Sequence, residues 1–234
     1  MNGINADLST FAVADTAAMD WQPSPAAGVW RKRLDHIGPE EGGRVTSIVR
    51  YDPGSTFAAH DHPDGEEIFV LEGTFSDEHG DYPAGTYLLN PEGFRHAPFT
   101  RDGCVLFVKL RQYAGAGRQH VNVDARAMPW APGPMPGIAV KELYCQDGFA
   151  DRTYLFRVDG GLSFPAHEHD GGEELFFLEG DLEDEHGRYG PGYWVRYPVG
   201  SGHAPRTEGG CLFYVKVGGL VASATPAQAQ ASSA

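Results

Sequence analysis

The sequence predicts an all-β protein built from two versions of one domain, and three observations carry that expectation. Residues 57–110 align without a gap on residues 164–217 at a constant offset of 107, with 27 of 54 positions identical. Glycine (31) and proline (17) are both abundant among the 234 residues, which favours short strands and turns over long helices. Apolar residues gather in short β-branched and aromatic segments rather than at helical spacing. Upstream, the match continues at an offset of 109, where Met19, Trp21 and Leu34 answer to Met128, Trp130 and Leu143, so copy one is two residues longer in an intervening loop.

Within each copy the elements follow in the same order. Residues 44–51, 67–71, 85–89 and 104–110 are predicted strands, as are their counterparts 153–158, 174–178, 193–197 and 211–217. Turn chemistry separates them: Asp52-Pro53-Gly54, Asp77-Glu78-His79-Gly80, Pro83-Ala84-Gly85 and Asn90-Pro91-Glu92-Gly93 preset or tolerate turn dihedrals. Many short strands with regular turns close into a sandwich or barrel. The expected organisation is an N-terminal tail (1–15), a first barrel (16–113), a linker (114–123), a second barrel (124–218) and a disordered Ala/Ser/Gln-rich tail (219–234). A duplicated chain can reproduce the isologous contact of a homodimer, so the two barrels are expected to pack as a pseudo-twofold pair.

Hydrophobic residues make up 41% and charged residues 21%, the balance of a globular protein able to bury a core. With 18 Lys+Arg against 32 Asp+Glu, the formal net charge of −14 repels phosphate backbones and anionic lipid, so neither nucleic acid nor a membrane is an expected partner. No apolar run approaches the roughly 18 to 20 residues of a membrane span. Residues 1–20 carry acidic groups where a signal peptide carries basic ones, and the expected location is the cytoplasm. Cys104, Cys145 and Cys211 are odd in number and widely spaced, which suits neither a disulfide framework nor a thiolate zinc site.

The chemistry sits in a pattern that occurs twice. His60-x-His62-x3-Glu66, with His96 30 residues after Glu66, recurs as His167-x-His169-x3-Glu173, with His203 30 residues after Glu173. Side chains two apart on a strand share a face, so His60 and His62 converge, as do His167 and His169. Glu66 with His96, and Glu173 with His203, can close each site from neighbouring strands. One histidine near a turn is ordinarily solvated or hydrogen-bonded, but four ligand-type groups repeated together would be costly to bury without a metal or partners. Glu67 and Glu174 compete for the carboxylate position. Strand alternation turns one of each adjacent pair away, and the spacing to Gly73 and Gly180 selects Glu66 and Glu173. His79 and His186 lie in acidic turns and read as solvated, and Cys104 and Cys211 read as small buried hydrophobes. Arg50 and Arg157 correspond, either holding a substrate oxygen or forming ion pairs at the surface or between barrels.

Gly54-x5-His60-x-His62-x3-Glu66-x6-Gly73, followed by Pro91-Glu92-Gly93-x2-His96, resembles the two motifs of the cupin superfamily. The stretches HDHPDGEEIFVLEGTFSDEHGDYPAGTY with NPEGFRHAP, and HEHDGGEELFFLEGDLEDEHGRYGPGYW with YPVGSGHAP, are similar to ChrR-like cupins, as is a lead-in with a Trp-x-Pro segment and a basic-Leu strand in each copy. The resemblance implies two tandem cupin double-stranded β-helix (jelly-roll) barrels, a bicupin. Each would hold a divalent metal through the two histidines and glutamate of the first motif and the histidine of the second. Those ChrR-like cupins that have Fe(II) dioxygenase activity, cleaving a carbon–carbon bond, act on hydroxyketones or diketones, whereas the founding members regulate a sigma-factor-binding domain. That regulatory plan includes a helical zinc domain with His-x3-Cys-x2-Cys, which this sequence lacks, so a sigma-factor partner is not expected.

Two functions follow as expectations. The first is a dioxygenase acting on a small hydroxyketone, diketone or phenolic substrate, with Fe(II) as its metal. The alternative is a non-enzymatic metal-binding regulator or sensor. A nitrogen-and-oxygen ligand set also suits Zn(II), Mn(II), Ni(II) and Cu(II), and self-association is left open. Trp194, Arg196 and Tyr197 of copy two replace Tyr87, Leu89 and Asn90 of copy one, and are the expected substrate contacts. Arg95 precedes His96 and is turned away from the ligand face by strand alternation. On that basis Glu173→Ala is expected to lower turnover more than Glu66→Ala.

Overall fold

A computed structural model describes residues 3–220. Residues 221–234, most of the expected C-terminal tail, lie outside the described residues. Apart from a short 3-10 turn at Thr16–Ala18, the regular elements are strands, as the composition predicted. None of the described helical segments is long and apolar enough to cross a membrane.

Two large antiparallel sheets repeat one strand order. The first runs Val121–Asp124, Thr86–Asn90, Glu66–Asp77, Cys104–Leu110, Arg44–Tyr51, Val29–Ile37 and Gln22–Pro23. The second runs Ala12–Asp15, Tyr193–Tyr197, Glu173–Gly180, Cys211–Val217, Arg152–Val158, Ile138–Tyr144 and Ala131–Pro132. A two-stranded sheet completes each barrel: His60–His62 pairs with Phe94–His96, and His167–His169 pairs with Ser201–His203. At the end of the first motif, Gly73 (φ +70°) and Gly180 (φ +66°) press against backbone, where a Cβ would lie 2.1 Å and 2.0 Å from the Gly103 and Gly210 carbonyl oxygens.

The sheet edges correct the expected domain boundaries. Ala12–Asp15, placed in a tail, pairs with Tyr193–Tyr197 of the second barrel. Val121–Asp124, placed at the junction of linker and second barrel, pairs with Thr86–Asn90 of the first. Each copy thus lends its leading strand to the other's sheet and covers an edge that would otherwise be open. Four-residue segments carry too little local signal to read as strands, because their stability comes from the partner sheet.

Alternation along the strands sorts side chains into three cores. On Glu66–Asp77, Ile68 and Val70 enter the first barrel's interior while Phe69 faces the other barrel. Leu175 and Phe177 likewise point into the second barrel, and Phe176 into the interface. There Phe107 stacks on Phe176 at 4.9 Å between ring centroids, with Tyr214 edge-on to Phe107 at 5.2 Å. The same alternation puts Glu66 on the interior face and Glu67 in the interface. Glu67 accepts hydrogen bonds from the Tyr87 and Tyr113 hydroxyls and lies 3.4 Å from Lys216 Nζ of copy two. Its counterpart Glu174 lies 2.7 Å from Lys109 Nζ of copy one, so the two buried ion pairs cross the interface reciprocally.

Candidate metal centre

The small sheets bring the ligand residues together. In the first barrel His60 sits directly opposite His96 in the strand register, and in the second His167 sits opposite His203. Ligand atoms of His60, His62 and His96 lie within 4.8 Å of one another, as do those of His167, His169 and His203. Glu66 Oε2 is 3.4 Å from His62 Nε2 and 3.5 Å from His96 Nε2. Glu173 Oε2 is 3.5 Å from His169 Nε2 and 3.9 Å from His203 Nε2. Adjacent donors bound to one ion at about 2.1 Å stand roughly 3.0–3.4 Å apart, so the carboxylate of the first site is already near that spacing from two rings, while the histidine sets, spread within 4.8 Å, would draw together around an ion.

The rings are also turned for this task. His60 Nδ1 faces the Ala58 carbonyl at 2.8 Å and His167 Nδ1 the Pro165 carbonyl at 3.0 Å. His96 Nδ1 meets Asp77 Oδ2, and His203 Nδ1 meets Asp184 Oδ2, both at 3.0 Å. Donation of Nδ1–H outward leaves an Nε2 lone pair aimed into the site. His169 Nε2 is buried with no hydrogen-bond partner among the described residues, an orphaned atom that a metal would satisfy. Burial lowers the pKa of His62, and lowers that of His169 to about 4, helped by His203 and His167; both rings are therefore neutral at physiological pH. Burial pushes Glu173 up to about 7 against the pull of His203, so a cation beside it would restore the carboxylate.

Asp77 and Asp184 join the candidate site through His96 and His203, and the sequence reading did not single them out. Each lies in the Asp-Glu-His-Gly turn present in both copies, which was read only as turn chemistry. Burial works against ionisation of Asp184, but donors from His203, Tyr197, the His186 backbone and Tyr189 hold its pKa below the usual range. Glu78 and Glu185 complete the clamp by accepting the N–H of Ala97 and Ala204, one residue after the second-motif histidine. Recurrence of the whole turn at the 107-residue offset was the available signal. Asp184→Asn, which keeps the shape and removes the charge, is expected to weaken metal affinity of the second site by about 10 to 100-fold. Competition against a chelator measures this, and unchanged affinity would mean that Asp184 only packs the turn.

A family model described as the ChrR cupin-like domain matches residues 9–114 and again 118–221. The chain belongs to the ChrR cupin-like family. Solved structures show that the ChrR-type pair of barrels shares its fold with proteins of diverse chemistry. A "putative dioxygenase" of Nostoc punctiforme is 17% identical with a TM-score of 0.76, over 93% of this chain and 88% of its own. A pirin of Escherichia coli, solved with nickel(II), is 11% identical with a TM-score of 0.66, over 89% and 98%. An oxalate decarboxylase of Lactobacillus farciminis, solved with formate, is 12% identical with a TM-score of 0.62, over 91% and 87%. No curated protein matches the sequence.

The two sites of this ChrR-type bicupin are not equivalent. In the first barrel Asn90 Nδ2 donates to Glu66 Oε2 at 2.9 Å. In the second, Tyr197 holds that position and turns its hydroxyl to Asp184 instead, leaving Glu173 without such a donor. The first site opens into a cavity of about 270 Å³ lined in part by Arg31, Glu40, Glu41 and Arg111. The two extra residues of copy one fall in the loop between Val29–Ile37 and Arg44–Tyr51, where Glu41 and Glu40 pair with Arg31 at 3.0 Å and Arg33 at 2.6 Å. The second site opens into a cavity of about 440 Å³ with walls from Met135, Phe156, Phe164, Leu175, Leu182 and Phe213.

The expected substrate contacts do not line that cavity. Val195 and Tyr197 point into the second barrel, so the alternate residues Trp194 and Arg196 point out to the other barrel. Trp194 is fully buried in the interface core, and Arg196 reaches Asp35 at 3.4 Å and the Asp7 carbonyl at 2.9 Å. Tyr197 remains inside, 4.3 Å from the His203 ring, but behind the ligands rather than in front of them. Arg95 does turn outward, to Asp61 at 3.1 Å. His79 and His186 are exposed, and burial raises the thiols of Cys104 and Cys211 to about 11 and about 12.

Proposed function

We propose that this protein is a metal-dependent dioxygenase whose second barrel carries the reaction, with Fe(II) as the working metal. The apolar cavity opening directly onto His167, His169, His203 and Glu173 carries this reading, because a purely structural metal site needs no such chamber. A bound Fe(II) would supply Lewis-acid polarisation of the substrate and activation of dioxygen, for cleavage of a carbon–carbon bond. Phe156, Phe164 and Phe213 would hold the apolar body of a hydroxyketone, diketone or phenol and exclude water from the ligand histidines. Among the described residues, no charged side chain other than the candidate ligands lines the chamber, which favours a neutral substrate. Asp184 would keep the His203 ring oriented through Nδ1 while Tyr197 and Tyr189 hold that carboxylate in place.

The Nostoc neighbour's description agrees with this reading, although the fold also hosts the decarboxylase. Iron-reconstituted protein is expected to consume dioxygen with at least one member of a hydroxyketone, diketone and catechol panel. Glu173→Ala should lower turnover more than Glu66→Ala, an expectation that now rests on the cavity walls rather than on Trp194 and Arg196. Neither consumption nor binding across the panel would remove this reading in favour of a metal-binding sensor. The smaller, more polar mouth of the first barrel, narrowed by the Glu40–Glu41 loop, suits such a non-catalytic role.

A further inference from the structure

A cavity of about 700 Å³ lies between the barrels rather than inside either, and both copies line it with equivalent residues. Its apolar walls include Phe69 and Phe176. Trp21 and Lys32 of copy one are matched by Trp130 and Lys141 of copy two. Lys32 is 9% exposed and Lys141 is 7% exposed. Each ammonium stands 4.4 Å from the centre of its indole ring and gives one hydrogen bond to a backbone carbonyl, Thr16 at 2.6 Å or Ala125 at 2.7 Å. An ammonium has three N–H donors, and a carbonyl and a ring face account for two. Neither lysine forms a salt bridge among the described residues, and the exposed Glu72 and Glu179 that also line the cavity pair with neither. Arg50 and Arg157 add a second cation over each indole, at 4.8 Å and 4.5 Å. These arginines therefore stack on tryptophan rather than line either metal site.

We infer that this inter-barrel cleft is a binding site for an organic carboxylate with an apolar body. The carboxylate would take the free donor of Lys32 or Lys141 and supply the counterion that the buried lysines lack, while the body covers the apolar walls. The volume is within the usual range for small-molecule sites. The metal chambers have no comparable pair of buried lysines, so the cleft selects a different chemistry from the neutral substrate proposed above.

The test uses the full, metal-loaded chain and octanoate as the probe, with octan-1-ol as its uncharged counterpart. Octanoate is expected to perturb tryptophan emission and to bind at least tenfold more tightly than octanol by calorimetry. Lys32→Met/Lys141→Met should weaken octanoate at least tenfold without changing metal content, whereas His167→Ala/His169→Ala should leave it bound. Bromine-labelled octanoate should quench emission from the unaltered chain, and Trp21→Phe/Trp130→Phe should remove that quenching, which keeps the test decisive if the lysine variant does not fold. Absence of binding, equal affinity for octanol, loss of binding in the histidine variant, or quenching that survives without Trp21 and Trp130 would each overturn the site.

Discussion

His167→Ala is expected to remove one divalent ion per chain and His60→Ala the other, from a protein that holds up to two when purified without chelator. Each histidine contributes one of four converging donors, and its loss should exceed the 10 to 100-fold effect typical of an outer hydrogen-bond partner. Elemental analysis of the purified variants reads the result directly. Less than about one ion per unaltered chain, unrecovered after reconstitution, would show that the clustered rings serve packing alone. The second site should also load poorly in acid. Burial raises Glu173 to about 7, so below that pH the ion must displace a proton, and affinity should fall by up to about tenfold per pH unit for that one proton. Affinity independent of pH between 8 and 5 would mean that Glu173 does not bind the ion as a carboxylate.

Lys109→Met should be among the most destabilising single substitutions in the chain. Lys109 is the one side chain among the described residues that donates a hydrogen bond to Glu174, and both groups are almost fully buried between the barrels. Removing one partner of a buried pair costs about 3–5 kcal/mol, and here only the more distant Arg44 and Arg196 remain to offset the Glu174 charge. For a chain of this size that corresponds to a fall in Tm of roughly 6–20 °C. The double variant Lys109→Met/Glu174→Leu should recover most of it, since an apolar pair of similar volume can replace a buried ion pair without loss.

Acid provides a second check on the same pair. Burial opposes ionisation of Glu174, but Lys109 and Arg44 outweigh it and hold the pKa below its ordinary 4.5, so this carboxylate's contribution is present above that value and lost as pH falls. In Lys109→Met burial gains weight and the pKa rises, so protonation relieves the folded state as pH drops. The Tm deficit should therefore narrow from pH 7 to pH 5. A constant deficit would place the cause in packing instead of charge.

The convergence of the eight candidate residues was legible because their information is local. His60 and His62 share a face by strand period alone, and Glu66 was separable from Glu67 once the spacing to Gly73 was added to that rule. Trp194 and Arg196 failed for want of one further step. Alternation divides Tyr193–Tyr197 into two faces, but which face is the barrel interior depends on what packs outside. Here the outside is another barrel, so a large aromatic and a cation could be buried without entering the pocket. The Asp77 and Asp184 anchors were hidden differently, because a turn-forming aspartate looks the same whether or not its carboxylate also holds a histidine.

By itself, then, the sequence determined the all-β class, the duplication, and two sets of three histidines and a glutamate, since each follows from residue type and short-range periodicity. Only the tertiary structure decided that Ala12–Asp15 and Val121–Asp124 exchange between sheets, that Glu67 and Glu174 pair across the interface, and that a cleft with two buried lysines lies between the barrels. These contacts join residues far apart in the chain. Their energy comes from burying two surfaces against each other, and no segment carries that energy until both are folded.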